Sequence, residues 1–542
     1  MSSIHYFNQS AKRFNPGLFH ELVQGIKVKH VNPVDSFHVT ALLESMGWTD
    51  ELVQERFRVS DLFQLGEEIK FEIDESAAKS LPSEEKKDGI RSGVRIVKSF
   101  LRGLIFSLPM AISVLSMLYL KFSLWSYEFL SIDLATAIAI GTILSFIVVG
   151  GFTQAIARYG FFYIYHGYYR MARRSTFFFI RAGYLISFLV TLLLFLINMV
   201  FNVYPFDLFI VIVFYFFFLN LIWLSVTVMY ILQRELLFTG LIIFGIMMVY
   251  LFFVQFRMDI IVSQLIAIGI VSLIGLLIVI VLFYREERKK EKGIAPKMPR
   301  LSFRVYSVMP YFLYGFYYFS FLFVDRVMAW SAVDVYHPES SFMPYFIWFR
   351  GDYELGLDFA LLALMLPLGM NEAVVQRLMH FIERAQKSFL LQQVDEMRDW
   401  LWKKYKRMIF ATVGVSILSA LTVFFILLFS NQLMMRIFGR HLITDGVTYF
   451  VFIVAVLSYV ILSVALLNAV LLFAVSQAKM VNQALVPALF INMILGFLLS
   501  RWVSYEYAVF GLLAGSLLFL ILSFRSVKNL FRKVDFYLYA IL

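Results

Sequence analysis

Two short stretches of this sequence place carboxylates at the start of long apolar segments. One reads YEFLSIDLA from Tyr127 and contains Asp133, and the other reads YELGLDFAL from Tyr353 and contains Glu354 and Asp358. Glu354 and Asp358 are four residues apart, so they share one face of a helix. An acid inside a membrane helix is costly and usually faces the bundle interior or water, where it lines a substrate or ion path. These acids are therefore candidates for a substrate path or a gate.

A cation precedes the second stretch. Asp325 and Arg326 lie in FLFVDRVMAW, toward the outer end of the apolar segment that leads to Glu354 and Asp358. Because the two segments are joined on the outer side, we predict that Arg326 pairs with Asp358 or Glu354 near the outer mouth of a cavity and helps to close it. The alternative interpretation is that acids in the first turns of a helix only complement its dipole. The candidate path or gate residues are Asp133, Asp325, Arg326, Glu354 and Asp358.

The sequence offers little to an enzyme. It contains no P-loop glycine motif, no His-Glu-x-x-His and no cysteine, which excludes thiolate metal sites and cysteine nucleophiles. Asp334 and Glu339, in the one sizeable outer loop, are the acids that a membrane glycosyltransferase would use, but solvated loop acids are the favoured explanation for them. We expect no enzymatic activity, no catalytic residue, no metal site and no cofactor. Coupling to an ion, of unspecified identity, stays open.

The elements that position these residues are membrane helices. Of the 542 residues 61% are hydrophobic and 16% are charged, whereas soluble domains are nearer half apolar and a quarter charged. Apolar runs of about 20 residues recur, and each is long enough to cross the ~30 Å hydrocarbon core as a helix. The segments lie near residues 98–120, 131–156, 176–203, 206–232, 236–256, 260–284, 305–330, 353–376, 408–430, 447–476, 481–503 and 506–524.

This pattern predicts an all-α polytopic membrane protein with about twelve transmembrane helices in two six-helix lobes. We assign residues 1–95 to a small helical N-terminal region that ends in a charged linker and has Thr49 and Ser60 as helix caps. Residues 96–284 form the first lobe, residues 285–303 a basic cytoplasmic linker, and residues 304–542 the second lobe with a basic tail. The two acidic stretches each begin the second helix of a lobe, which favours an internal repeat.

Charge sets the orientation. Most lysines and arginines of the connections lie on one side of the predicted helices, so both termini are predicted to be cytoplasmic and the protein to be multi-pass in the cytoplasmic membrane. The net charge of +11 is explained by these loops, and the N-terminal region lacks a basic recognition face, so we expect no nucleic acid. Amide side chains within the apolar runs, together with abundant tyrosine and tryptophan, suit a path for hydroxyl-rich sugars.

Residues 96–540 resemble a known group of transporters. The twelve-helix layout and the ending NMILGFLLSRWVSYEYAVFGLLAGSLLFLI are similar to flippases of the multidrug/oligosaccharidyl-lipid/polysaccharide (MOP) superfamily. More narrowly, RGLIFSLPMAISVLSML, TQAIARYGFFYIYHGY and FYYFSFLFVDRVMAW resemble the Pel exopolysaccharide transporters. One departure is that Arg158-Tyr159 is followed by Gly-Phe-Phe instead of a small polar-acidic stretch.

The resemblance implies two six-helix lobes around a central cavity that opens alternately to each side of the membrane. Its cargo would be an amino-sugar-rich exopolysaccharide or a lipid-linked oligosaccharide, and its partners membrane lipid, a cytoplasmic glycosyltransferase and other synthase subunits. Two alternatives remain: a membrane-embedded glycosyl or lipid-phosphate transferase or polymerase, and a non-transporting scaffold for a synthase complex.

Overall fold

The computed structural model describes residues 16–29, 33, 35–79, 89–290, 298–333, 345–388, 394–439, 443 and 445–539. Every regular element in these ranges is a helix. The chain divides into an N-terminal unit, Met1–Arg95 with Gln376–Lys406, and a membrane unit, Ile96–Val375 with Arg407–Leu542. Residues 376–406 thus group with the N-terminal helices, whereas the sequence pattern places them in the second lobe.

The N-terminal unit begins with four short amphipathic helices whose apolar faces meet in one buried core. They are α1 (Pro16–Lys29), α2 (Ser36–Ser45), α3 (Asp50–Phe57) and α4 (Leu62–Lys79). Thr49 caps α3 as predicted, because its side chain accepts from the Leu52 N–H. The other predicted cap is wrong: Asp61 accepts from the Gln64 N–H at 2.7 Å, while the Ser60 hydroxyl donates to the Gln64 side chain.

The first lobe of the membrane unit contains six long helices. They are α5 (Gly89–Leu120), α6 (Ile132–Tyr165), α7 (Tyr169–Phe201), α8 (Phe206–Ile231), α9 (Glu235–Tyr250, continued by a π-helical turn over Leu251–Gln255) and α10 (Ile260–Lys290). Helix α5 bends by 48° between Ile105 and Ser107. Pro109 has no N–H to offer the Ile105 carbonyl, which accounts for a bend at this point.

The second lobe repeats the arrangement with one more break. Its helices are α11 (Leu301–Trp330), α12 (Gly351–Leu362), α13 (Met365–Ser388), α14 (Val394–Phe438), α15 (Gly446–Ala474), α16 (Ala478–Trp502), a 3₁₀ turn (Tyr505–Ala508), α17 (Val509–Arg532) and α18 (Val534–Tyr539). Helices α12 and α13 together make one span, interrupted at Ala363 and Leu364. Pro367 cannot donate to the Ala363 carbonyl, so the helix restarts there.

The predicted fold class is confirmed. Among the described residues, eleven helices are long and apolar enough to cross a membrane, and the bent α5 raises the number to twelve. We call the end of the bundle that carries the α5–α6, α7–α8, α11–α12 and α16–α17 connections the outer end, after the predicted orientation, and the opposite end the inner end.

The lobes meet along a seam between α6 and α11. The helices cross at Gly150 and Gly315, where a Cβ on Gly150 would lie 2.9 Å from the Gly315 carbonyl oxygen and one on Gly315 would strike the Gly150 carbonyl. A second close approach joins α5 to α13, because a Cβ on Gly103 would lie 2.7 Å from the Gly369 Cα. Glycine is therefore required at both contacts for the backbones to come this near.

Candidate functional site

The charged pair Asp325-Arg326 lies on the buried face of α11, near its outer end. Two arginines from other elements donate to backbone carbonyls in the last turn of this helix and just beyond it, where carbonyls have no partner within the helix. Arg501 donates to the Met328 carbonyl at 3.1 Å, and Arg350 donates to the Ala332 carbonyl at 2.6 Å. The outer end of α11 is thus fixed by one side chain from the last turn of α16 and one from the residue before α12.

Arg326 makes the ion pairs that the sequence predicts. Its guanidinium donates to the Glu354 carboxylate in a short contact and reaches the Asp358 carboxylate at 3.5 Å. The Arg326 side chain is 6% exposed, that of Glu354 13%, and that of Asp358 44%. The pair with Glu354 is therefore buried between α11 and α12, while Asp358 forms the open side of the cluster.

A tyrosine joins the fourth charged residue to this cluster. Asp325 is fully buried, and the Tyr353 hydroxyl donates to it at 3.0 Å. Tyr459 on α15 places its hydroxyl within hydrogen-bonding reach of Arg326. Three carboxylates thus lie around one guanidinium, and three helices of the second lobe, α11, α12 and α15, hold the cluster.

The cluster keeps unused acceptor capacity. One carboxylate oxygen of Asp325 and one of Glu354 are buried without a hydrogen-bond partner. In the described part of the chain no three acidic, His or Cys side chains are arranged to hold a metal ion, and Arg326 takes the position from which a cation would neutralise these acids. Chemically, the site is a buried acid–arginine contact whose exposed member, Asp358, can exchange partners.

Asp133, the remaining candidate, lies apart from the cluster. It occupies the first turn of α6 in the first lobe, where Ser131 caps the helix. The phenol of Tyr345, which precedes α12, lies close to its carboxylate. The structure therefore brings together four of the five candidates. It places the fifth, Asp133, on the opposite lobe, against the segment that precedes α12.

The two acidic stretches are not structurally equivalent. Tyr353 and Glu354 lie inside α12, as predicted, but the prediction that the first stretch also begins a helix is wrong for Tyr127 and Glu128. Those residues belong to a turn before α6. In this turn Tyr127 forms an isolated antiparallel β-bridge with Phe122, and the Glu128 carboxylate lies 2.5 Å from the Lys121 Nζ. Gln264 of α10 stabilises this turn by donating to the carbonyls of Ser123 and Ser126. Nothing in the sequence pattern indicates this contact.

Aromatic side chains fill the middle of the seam. The Phe146 ring of α6 stacks on Phe319 and Phe323 of α11, with centroids 5.4 and 5.3 Å apart, and on Trp223 of α8 at 4.4 Å. Both lobes contribute to this stack, and its rings are half-buried. Separation of the lobes would expose a row of flat apolar faces.

The inner end of the seam is closed by polar contacts. The Tyr159 hydroxyl lies 2.6 Å from that of Ser307 on α11. Arg158 donates to Ser476 between α15 and α16 at 3.2 Å, and its guanidinium lies 4.8 Å from the centre of the Tyr311 ring. Arg158 and Tyr159 therefore join the two lobes.

Several amide side chains of the spans are engaged in contacts between elements. Gln264 is engaged as described above, Asn492 donates to the Phe321 carbonyl at 2.9 Å, and Asn468 donates to Ser523 at 3.1 Å. The side chains of Asn492 and Asn468 thus join helices to one another. Asp334 and Glu339 lie outside the described residues.

No protein-family profile matches the chain, and no curated protein sequence does. Solved structures do match it. A mutant of the MATE transporter VcmN from Vibrio cholerae aligns over 84% of this chain and 100% of its own, with a TM-score of 0.56 and 14% identity. A MOP superfamily transporter from Pyrococcus furiosus aligns over 81% of this chain and 96% of its own, with a TM-score of 0.53 and 12% identity.

An outward-facing structure of a multidrug resistance MATE family transporter of the MOP superfamily covers 81% of this chain and 95% of its own, with a TM-score of 0.53 and 12% identity. At these identities the likeness concerns the fold. The chain therefore has the two-lobed fold of MATE transporters.

Proposed function

We propose that this protein is a membrane transporter that works by alternating access. The observation that carries the proposal is the two-lobed helical fold, shared with MATE transporters over four fifths of the chain or more. Hydrogen bonds join the lobes at the outer and inner ends of the seam, and stacked aromatic rings join them in the middle. Contacts of this kind can break at one end while they hold at the other.

We infer that the cargo is a glycan: an exopolysaccharide of the Pel type, rich in amino sugars, or a lipid-linked oligosaccharide. The support is the resemblance of three sequence stretches to Pel exopolysaccharide transporters, together with the stacked rings of Phe146, Phe319, Phe323 and Trp223. Flat aromatic faces pack against the apolar faces of sugar rings, and their contacts do not depend on sequence along the glycan.

The same proposal covers location and partners. Positive charge in the inner connections supports a cytoplasmic-membrane protein with both termini in the cytoplasm. The N-terminal unit, with its own buried core, offers a docking module for a cytoplasmic glycosyltransferase or another synthase subunit. The acid–arginine cluster of Arg326, Glu354 and Asp358 serves as an outer gate.

The test is transport by the purified protein. Proteoliposomes are loaded with a fluorescent N-acetylglucosamine pentamer, and its release is compared with release from protein-free liposomes, with and without an imposed proton or sodium gradient. We expect protein-dependent release. The proposed glycan cargo would be contradicted if proteoliposomes with correctly folded protein retained the pentamer and also failed to move a fluorescent lipid-linked oligosaccharide between leaflets.

The enzyme alternative has a separate readout. In detergent, where no two sides exist, a transferase would still extend a short lipid-linked acceptor from a nucleotide sugar, whereas a transporter would not. Product formation there would favour the enzyme. A scaffold would instead tolerate neutralisation of Arg326 and Glu354 with no change in export.

A further inference from the structure

The segment of residues 345–350, here called the strap, crosses from one lobe to the other at the outer end. It belongs to the second lobe by chain continuity, because it leads directly into α12. The Trp348 N–H donates to the Trp330 carbonyl at 3.1 Å, and the Arg350 guanidinium lies 3.8 Å from the centre of the Tyr505 ring. Together with the bond from Arg350 to Ala332, these contacts fix the strap to the ends of α11 and α16.

The strap also contacts the first lobe at three points. The Phe349 N–H donates to the Thr136 hydroxyl on α6 at 2.9 Å. The Tyr204 hydroxyl, between α7 and α8, donates to the Ile347 carbonyl at 3.1 Å. The Tyr345 phenol lies close to the Asp133 carboxylate, and the Tyr345 ring lies 5.0 Å from that of Tyr204.

The two sets of contacts differ in kind. On the second lobe the strap has a covalent connection and a charged, well-enclosed arginine. On the first lobe it has one hydrogen bond to each of two hydroxyl groups, and a contact with one carboxylate. Burial and the neighbouring Tyr345 phenol raise the pKa of Tyr204 to about 12, so its hydroxyl stays protonated and able to donate at neutral pH. The weaker set is the one that parts when the lobes separate.

We propose that the strap is an outer latch, which holds the outer ends of the two lobes together and releases the first lobe when the transporter opens outward. This inference rests on the proposed alternation between two conformations. The latch leads within four residues to Glu354 and within eight to Asp358. Release therefore acts directly on the helix that carries the acids bound to Arg326.

The experiment measures the distance between the lobes. The chain has no cysteine, so spin labels can be placed at Phe129→Cys in the first lobe and Trp502→Cys in the second, both exposed at the outer end. Thr136→Val with Tyr204→Phe removes two of the first-lobe contacts without altering the strap. Pulsed electron paramagnetic resonance on this variant should show a longer-distance population that is several-fold larger than in the unaltered chain.

A matched variant controls for general loosening. Thr142→Val with Tyr184→Phe removes the same chemical groups inside the first lobe, where Thr142 bonds the Ile138 carbonyl and Tyr184 bonds the Phe217 carbonyl. The control should leave the distances unchanged. Unchanged distances in the strap variant, or an equal shift in the control, would overturn the latch.

The readout also separates the latch from the proposed cargo. A distance shift in a protein that releases no glycan from liposomes would support the latch and contradict the proposed glycan cargo. Release of glycan with no distance shift would support the proposed transport and contradict the latch.

Discussion

Arg326 is the residue on which the outer cluster depends. Its guanidinium is buried and contacts Glu354 and Asp358 on the next helix, while Asp325 beside it is bound by Tyr353. Removal of one partner of a buried ion pair typically costs about 3–5 kcal/mol, because the other charge is left buried and uncompensated. The cluster can therefore hold α11 and α12 in one arrangement until another partner competes for Asp358.

A charge exchange tests whether this contact is a gate. Asp358→Arg places two guanidinium groups side by side, so we expect release of the glycan pentamer from proteoliposomes to fall about tenfold or more, a factor that corresponds to ~1.4 kcal/mol. Asp358→Arg combined with Arg326→Asp should restore part of the rate. Both variants should still be found in the membrane.

Asp207 supplies the control for this exchange. It lies in the first turn of α8, exposed at the outer end, where an acid complements the helix dipole without a cluster around it. Asp207→Arg should change release little. If it slows release as much as Asp358→Arg does, or if the double exchange is no better than the single one, the acids only stabilise helix ends.

At the scale of elements, the α6–α11 crossing decides how near the lobes come. Gly150 and Gly315 allow backbone contact there, and the aromatic rings of Phe146 and Phe319 pack beside it. Extra atoms in a close-packed interior cost about 1–3 kcal/mol, because neighbours must shift or adopt strained rotamers.

Gly315→Ala should therefore lower the thermal stability of the protein in detergent. Gly414→Ala on α14 is the matched change, because a Cβ there meets nothing within 4 Å and alanine favours a helix over glycine by about 1 kcal/mol. We expect the midpoint of thermal unfolding to fall for the first variant and to stay or rise for the second. Equal midpoints would show that the crossing tolerates a side chain.

At the scale of the molecule, the sequence predicts the spanning helices well and their tertiary contacts poorly. Length and hydropathy determine a membrane helix locally, so all twelve predicted segments correspond to helices. Arg326 and its acids were predictable because a charge inside a membrane span needs a partner, and the next span is joined to this one on the outer side.

Contacts that depend on folding of distant parts left no comparable signal. The strap depends on Thr136, Tyr204 and Tyr505, which are ordinary polar or aromatic residues in the sequence. The turn that contains Glu128 depends on Gln264, more than 100 residues away. The grouping of residues 376–406 with the N-terminal helices is likewise a property of packing.

The proposed transport mechanism requires the seam between α6 and α11 to open alternately to the two sides of the membrane. The direct measurement is the reactivity of a single cysteine at Phe146→Cys, in the middle of the seam, with a membrane-impermeant thiol reagent. It is made on intact cells and on inverted vesicles. Single cysteines at Ser340 and Gly293, which lie outside the described residues, calibrate the two sides: Ser340→Cys should react only from outside and Gly293→Cys only from inside.

If the seam alternates, Phe146→Cys should react from both sides, and labelling from one side should consume the sites available to the other. Reaction from one side only, or from neither, in protein that has kept its fold would contradict alternating access.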